Sequence, residues 1–309
     1  MRRVLRDRLI TTLLVIWAAC TLAFGLLQVI PGDAVTGQLL AGGASEAAIE
    51  ARKAELGLNQ PLLVRYSTYL AGLLRGDLGH SYINHQPVSA LILQQLPATA
   101  ALATAALVFA VSVGIVLGAI EALAWPRWPG RLANTLSLLA LSTPIYWSAT
   151  LAIYLVSTRW QLLPATGSSG PAHLVLPAAV LGFHVAGSIA RVTHASLQHT
   201  MHATYIRTAH AKGLPPRTIL LVHVLKPSLP PILSIIALQT GFLLGGAVVT
   251  EMIFVRQGLG QLLQHAVLDQ DYPVVLGVVI FSAAVYSSVG ALADLLHGIL
   301  DPRIHQQTG

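Results

Sequence analysis

Long uncharged, mostly apolar runs alternate with short charged stretches along the whole chain. A bilayer core ~30 Å thick takes roughly 20 residues of helix at 1.5 Å each. Six runs qualify: Leu9 to Ile30, Ala98 to Ile120, Leu132 to Thr158, Leu174 to Ala190, Pro227 to Thr250 and Tyr272 to Ala293. The first follows "MRRVLRDR", which resembles the basic start of a signal peptide, but its apolar run exceeds the ~7–15 residues of a signal core. It reads as a retained helix.

Two connecting segments are too large to be simple loops. In the first, residues 31–97, "ASEAAIEARKAELGLNQPLLVRYSTYLAGLLRGDLG" carries apolar residues at helical spacing, Ser45 as an N-cap, and stops at Gly57 and Gly76. This pattern predicts one or two helices lying against the external membrane face. The second lies between runs four and five, where "YIRTAHAKGL" sets Arg207, His210 and Lys212 in ten residues. A helix closed by Gly213, Pro215 and Pro216 is predicted, since proline cannot continue a helix and glycine commonly ends one. On it Ala209 and Gly213 fall four apart, a strip of small residues for close packing, while Arg207 and Lys212 project elsewhere. The alternative is a basic juxtamembrane loop that fixes topology and touches lipid phosphates.

Composition agrees with an all-α, polytopic membrane protein. Hydrophobic residues make up 54%, charged residues only 10%, and mean hydropathy is +0.68, whereas soluble domains carry about 25% charge. With the N-terminus cytoplasmic, twelve lysines and arginines gather on its side and six on the other, and eight of the twelve acids join those six. That asymmetry predicts an N-in/C-in topology. The sequence pI of 9.8 therefore reports orientation, and no nucleic-acid partner is expected.

Several isolated residues invite chemistry. Cys20, the single cysteine, sits in an apolar run and reads as a packed thiol. Glu251, at the external end of run five, is a candidate gate or path residue, because an acid near hydrocarbon needs a partner or water; lying just beyond the interface is the alternative. Glu121 and Asp294 stand near span ends, and Asp294 is expected to pair with an arginine. His194, His199 and His202 follow run four; only the last two share a helical face, and they read as incidental, so no metal site is expected. "GSSG" at Gly167 to Gly170 matches a serine-protease motif. Its Ser169 is external, His297 lies at the cytoplasmic end of run six, and His173 is too close in sequence, so no catalytic pair forms. An ion-driven carrier is disfavoured by the absence of repeated halves and of charge in the middle of the runs.

"YIRTAHAKGLPPRTILLVHVLKPSL" closely resembles the cytoplasmic coupling motif of ABC-type importer permeases, in the branch handling dipeptides, oligopeptides and nickel. The general pattern there is Glu-Ala-Ala, three residues, then glycine. Here Arg207, Thr208 and Ala209 occupy the triplet and Gly213 is the glycine. The glutamate is absent, as is usual in the peptide branch, where Arg-Thr-Ala-Arg-Ala-Lys-Gly is typical; His210 replaces the second arginine, which raises the question of pH sensitivity near neutrality. "LLQVIPGDAV" with Pro31, Gly32 and Asp33, "LRGDLGHSY", "LPATAALA", "LALSTPIYW", "GGAVVTEMIFVRQGLGQLL", "DYPVV" and "LDPRI" resemble the same branch in order.

The resemblance implies a six-span subunit of the bacterial or archaeal cytoplasmic (inner) membrane. Its organisation would be residues 1–30 as N-terminus and first span, 31–97 as an extracytoplasmic helical loop, and 98–309 as the importer transmembrane domain with a coupling helix at about 202–214. It implies a homologous second permease, two ATPase subunits that bind ATP and Mg, an extracytoplasmic substrate-binding protein, and membrane lipid as surroundings. Arg207, Thr208, Ala209, His210, Lys212 and Gly213 would contact the ATPase; Arg65, Arg75 and Asp77 mark a docking region for the binding protein. No phosphate loop surrounds Lys53, Lys212 or Lys226, so neither catalysis nor a cofactor is expected in this chain. Cargo stays open among dipeptides, longer peptides, nickel chelates, glutathione and oligosaccharides.

Overall fold

In the computed structural model, residues 2–29, 34–41 and 43–300 are described, with the backbone alone for 2–5, 7–9, 34, 35, 38, 41 and 292–300. Ile30, the Pro31, Gly32 and Asp33 motif and the "LDPRI" motif after Leu300 lie outside the described residues, as do the side chains of Asp294 and His297. Every regular element among the described residues is a helix. In chain order these are α1 (Arg2–Val29), α2 (Ala34–Ala41), α3 (Glu46–Glu55), α4 (Leu62–Leu74), α5 (Val88–Ala124), α6 (Trp128–Ser142), α7 (Ile145–Arg159), α8 (Ala172–Met201), α9 (Thr204–Ala211), α10 (Pro216–Ile253), α11 (Leu259–Leu268) and α12 (Tyr272–Leu300). Both α7 and α10 contain a wider π turn, at Ile153–Arg159 and Ile219–Leu225.

Among the described residues five helices, within α1, α5, α8, α10 and α12, are long and apolar enough to cross a bilayer. The third apolar run behaves differently from the single span expected over Leu132 to Thr158: α6 and α7 meet at an angle of 111°. The cause is local. Thr143 precedes Pro144 and takes an extended ψ of 132°, because the proline ring disfavours helical geometry in the residue before it. The Thr143 amide and hydroxyl both donate to the Leu139 carbonyl, at 3.0 and 2.7 Å, and finish the first half. Each half has 15 residues or so, about 22 Å, too short to cross alone.

The chain forms two compact units. The first comprises Met1–Thr99 and Gln257–Ser287. Its core joins Leu27 of α1, Val88, Leu91 and Ile92 of α5, Leu259 and Ala266 of α11, and Val274 to Val278 along α12. A Cβ on Gly277 would fall 2.4 Å from Val88 Cγ1, so α5 and α12 touch there through bare backbone. The helices expected between Ser45 and Gly79 are α3 and α4. Ser45 accepts from the Ala48 amide as N-cap, and Gly57 and Gly76 take φ of +69° and +79° where the helices stop. Rather than lying free, α4 sets Tyr66 and Tyr69 against Phe24 of α1, with ring centroids 5.3 and 6.5 Å apart. Burial, and after it Cys20, pushes the Tyr69 phenol up.

The second unit comprises Ala100–Arg256 and Ser288–Gly309. Here α8 is central, packing on α5 and α10 through Leu102, Ala106, Leu181, Val185, Ile189 and Leu243, and on α6 at Gly187 beside Ser137 and Ala140. Small residues set the spacing, as in helix pairs that gain stability from close backbone approach. A Cβ on Gly118 would lie 2.5 Å from the Ala190 carbonyl oxygen, and one on Gly182 2.6 Å from that of Ala106.

Candidate functional site

The basic segment folds as the sequence predicts. Helix α9 ends with Lys212 as C-cap, and Gly213 adopts φ +73°, a left-handed conformation that favours glycine. The Gly213 amide donates to His210 at 2.9 Å and the Leu214 amide to Ala209 at 3.3 Å. This pair of bonds is the Schellman ending, which satisfies carbonyls that a helix end leaves without partners. Ile206 and Ala209 face inward, against Ala122, Leu197, Ile219 and Val224. Arg207, Thr208, His210 and Lys212 are exposed. His210 Nδ1 lies 2.9 Å from the Ile206 carbonyl; a carbonyl can only accept, so Nδ1 carries the proton.

One expectation changes in this geometry. Ala209 and Gly213 do not share an outward strip, because Ala209 is buried in the chain's own core. What α9 presents outward is a polar, basic face ending at Gly213, where an added Cβ would meet, beyond its chain neighbours, nothing among the described residues within 4 Å. Any closeness needed at that glycine is closeness to another molecule.

Hydroxyl groups clamp the two long helices that hold α9. The Oγ of Ser228 of α10, fully buried, lies 2.9 Å from Thr200 Oγ1 and 2.8 Å from the Val224 carbonyl oxygen, both of them acceptors open to its single proton; in return Ser196 of α8 donates to the Ser228 carbonyl at 3.0 Å. Gln198 adds a bond from α8 to the Ala122 carbonyl of α5 at 3.0 Å, and Tyr205 of α9 donates to His223 at 3.2 Å. Ser228→Ala is expected to cost about 1–2 kcal/mol, since partners in a dry interface lose a hydrogen bond with no water to replace it. A lower thermal unfolding temperature of the purified protein would register it; an unchanged one would mean the clamp is slack.

His194 Nδ1 lies 3.7 Å from Oε1 of buried Glu121, one turn beyond the Gly118 contact. His202 Nδ1 approaches the Gln198 carbonyl at 2.8 Å and His199 is exposed. No three metal-ligating side chains gather among the described residues.

In the first unit, motifs far apart in sequence meet. Asp271, buried just before α12, accepts from the Ser81 hydroxyl and, at 3.1 Å, from the Tyr82 amide. Ser81 in turn accepts from the Asn84 amide at 2.9 Å, closing the turn. Thr99 of α5 accepts from the Leu259 amide at 2.9 Å and so caps α11. Beside these joints is a cleft of about 440 Å³ in which Asn84, Gln95, Gln257, Gln261, His265 and Asp269 are set among apolar residues such as Leu91 and Leu262. Of the three docking residues expected, Arg75 and Asp77 are exposed, with Asp77 Oδ1 accepting from the Gly79 amide at 2.8 Å. Arg65 instead turns toward α1 and donates to Gln28 at 3.3 Å.

Glu251 is fully buried on the last turn of α10. The chain after it bends through Val255 at φ +46°, the Arg256 amide donates to the Glu251 carbonyl at 2.9 Å, and the Phe254 carbonyl accepts from Gly167 at 3.1 Å. Sequence reasoning missed Ser81, Thr99, Ser228 and Asp271 as structural joints. Their signal was a hydroxyl or acid inside or beside an apolar run, which by itself names no partner.

Comparison with known proteins converges on one family. Residues 111–306 match the family described as "binding-protein-dependent transport system inner membrane component", and residues 1–103 match its N-terminal counterpart. A peptide transport system permease protein of Brucella suis is 36% identical over 293 residues, covering 92% of this chain and 93% of that one. The dipeptide transport system permease protein DppB of Escherichia coli is 36% identical over 319 residues, covering 93% and 94%. Among solved structures, the inward-facing MetNI methionine ABC transporter aligns with a TM-score of 0.55 at 16% identity, over 68% of this chain and 96% of that one. At that identity the likeness is one of fold. The chain belongs to the binding-protein-dependent transport system inner membrane components.

Proposed function

We propose that this chain is one of two permease subunits of an ATP-driven peptide importer, with α9 as its contact with the ATPase. Support for peptide cargo comes from the 36% identical relatives that carry peptide and dipeptide transport names. The single observation behind the contact is the exposed basic face of α9, ended by Gly213 and set by a buried clamp on two long helices. ATP and Mg are held by separate ATPase subunits, and a binding protein delivers cargo to the external face near Arg75 and Asp77. Closure of the ATPases on nucleotide pushes α9; the clamp passes that displacement to α8 and α10, and the path alternates between two arrangements.

The orientation follows from charge. With the α6–α7 pair counted as one crossing, Arg207, Lys212, Arg217 and Lys226 share the cytoplasmic side with the N-terminus. Were the pair not to cross, those four would be external, against the bias of such loops. The double change Arg207→Glu with Lys212→Glu is expected to abolish uptake of a labelled dipeptide and release the ATPase subunits during purification. Wild-type uptake by the double variant would overturn the contact; wild-type cells that take up no peptide through this system would overturn the cargo.

A further inference from the structure

The turn "WPRWPGR", Trp125 to Arg131, is not used by the coupling scheme. Its two indoles are 50% and 75% exposed, and Arg127 and Arg131 are exposed beside them. Neither arginine pairs with a carboxylate among the described residues, and after buried Glu121 the next acid along the chain is Glu251. The exposure is built in. Gly130 packs so closely under the turn that a Cβ there would lie 2.7 Å from the Trp125 amide nitrogen. The Arg127 amide donates to Ala124 at 2.7 Å, and Gln198 holds the preceding Ala122 carbonyl. These contacts fix the backbone of a turn from which both rings are exposed.

Depth identifies what the rings meet. The apolar run of α5 ends at Ile120 and the next begins at Leu132. Trp125 therefore stands about 7 Å of helix beyond the hydrocarbon, and the headgroup layer on each face is roughly 5–7 Å deep. Indole rings favour that layer, and arginines there attract anionic lipid. We propose that this turn is a binding surface for anionic phospholipid headgroups, with Arg127 and Arg131 on the phosphate and Trp125 and Trp128 reaching back from it toward the glycerol groups. It requires only that the chain is a bilayer protein and is independent of the cargo.

Brominated lipids, which quench tryptophan on contact, provide the test. The transporter with its partner subunits is reconstituted with brominated phosphatidylglycerol or brominated phosphatidylcholine. The share of quenching due to this turn is what disappears in Trp125→Phe/Trp128→Phe. That share is expected to favour phosphatidylglycerol by about fivefold, the preference one arginine confers near an anionic surface, and to lose the preference in Arg127→Gln/Arg131→Gln. Equal quenching by both lipids, a preference that survives the glutamines, or no quenching by either because a protein partner covers the turn would each overturn the proposal.

Discussion

Gly213→Arg is expected to reach the membrane at wild-type levels and to lose transport by about tenfold or more, the factor that ~1.4 kcal/mol commands. Two separate effects combine at this residue. A side chain at φ +73° carries a backbone cost of about 1–2 kcal/mol, which frays the last turn of α9. Beyond its chain neighbours, no atom of the described residues stands within 4 Å of an added Cβ, so the fold itself has room, and bulk matters chiefly against a partner. Asparagine separates the two, because it tolerates the left-handed region better than other residues. If a partner approaches the bare backbone, asparagine and alanine are both impaired and arginine is worst. If conformation alone counts, asparagine behaves like glycine. Solute moved per ATP hydrolysed in proteoliposomes is the measurement, and an arginine variant with the wild-type ratio would remove α9 from the coupling path.

Asp271→Ala is expected to be the most destabilising single change in the first unit. It takes the acceptor from the Ser81 hydroxyl and the Tyr82 amide together, and Ser81 is only 2% exposed, so water does not replace it. A buried donor left without its partner costs about 1–3 kcal/mol, and with a smaller share from the half-buried Tyr82 amide this suggests roughly 3 kcal/mol in all. For a protein of this size that lowers the unfolding temperature by several degrees, at about 2–4 °C per kcal/mol. The 79–88 segment should then become open to protease. Asp271→Asn keeps an oxygen for the Tyr82 amide and is expected to lose about half as much. A cleavage pattern and unfolding temperature unchanged in Asp271→Ala would show that the joint adds nothing.

Local signals carried most of the helices and little of their assembly. Ser45, Gly57, Gly76 and Gly213 act through the backbone of their own turn, so a cap or a stop is visible from neighbouring residues alone. The bend at Thr143 was hidden because the residues on both sides of Pro144 are equally apolar; hydropathy has no term for direction. Helix α11 follows a glycine-containing stretch too short to resemble a span. Ala209 reads as outward in the sequence because its neighbours on the helix surface say nothing of whether Leu197 and Ile219 arrive to cover it. The joints Ser81 with Asp271 and Thr99 with Leu259 link positions more than 150 residues apart. Each lies in a stretch that resembles the peptide branch, and the contacts supply a physical reason for those stretches: a donor or acceptor in one is satisfied by the other.

The clamp at Ser228 also sets a mechanical ratio. Helix α8 has 30 residues, about 45 Å of rod, and the hydroxyl bonds seize it near the end that leads into α9. A tilt of about 5° around its midpoint moves each end by roughly 2 Å, less than the width of one side chain. Under the proposed coupling, a push of that size at α9 would return with opposite sign at the far end of α8 beside Pro171. The stiffness of one buried serine junction would then decide whether the stroke arrives there or is spent in bending.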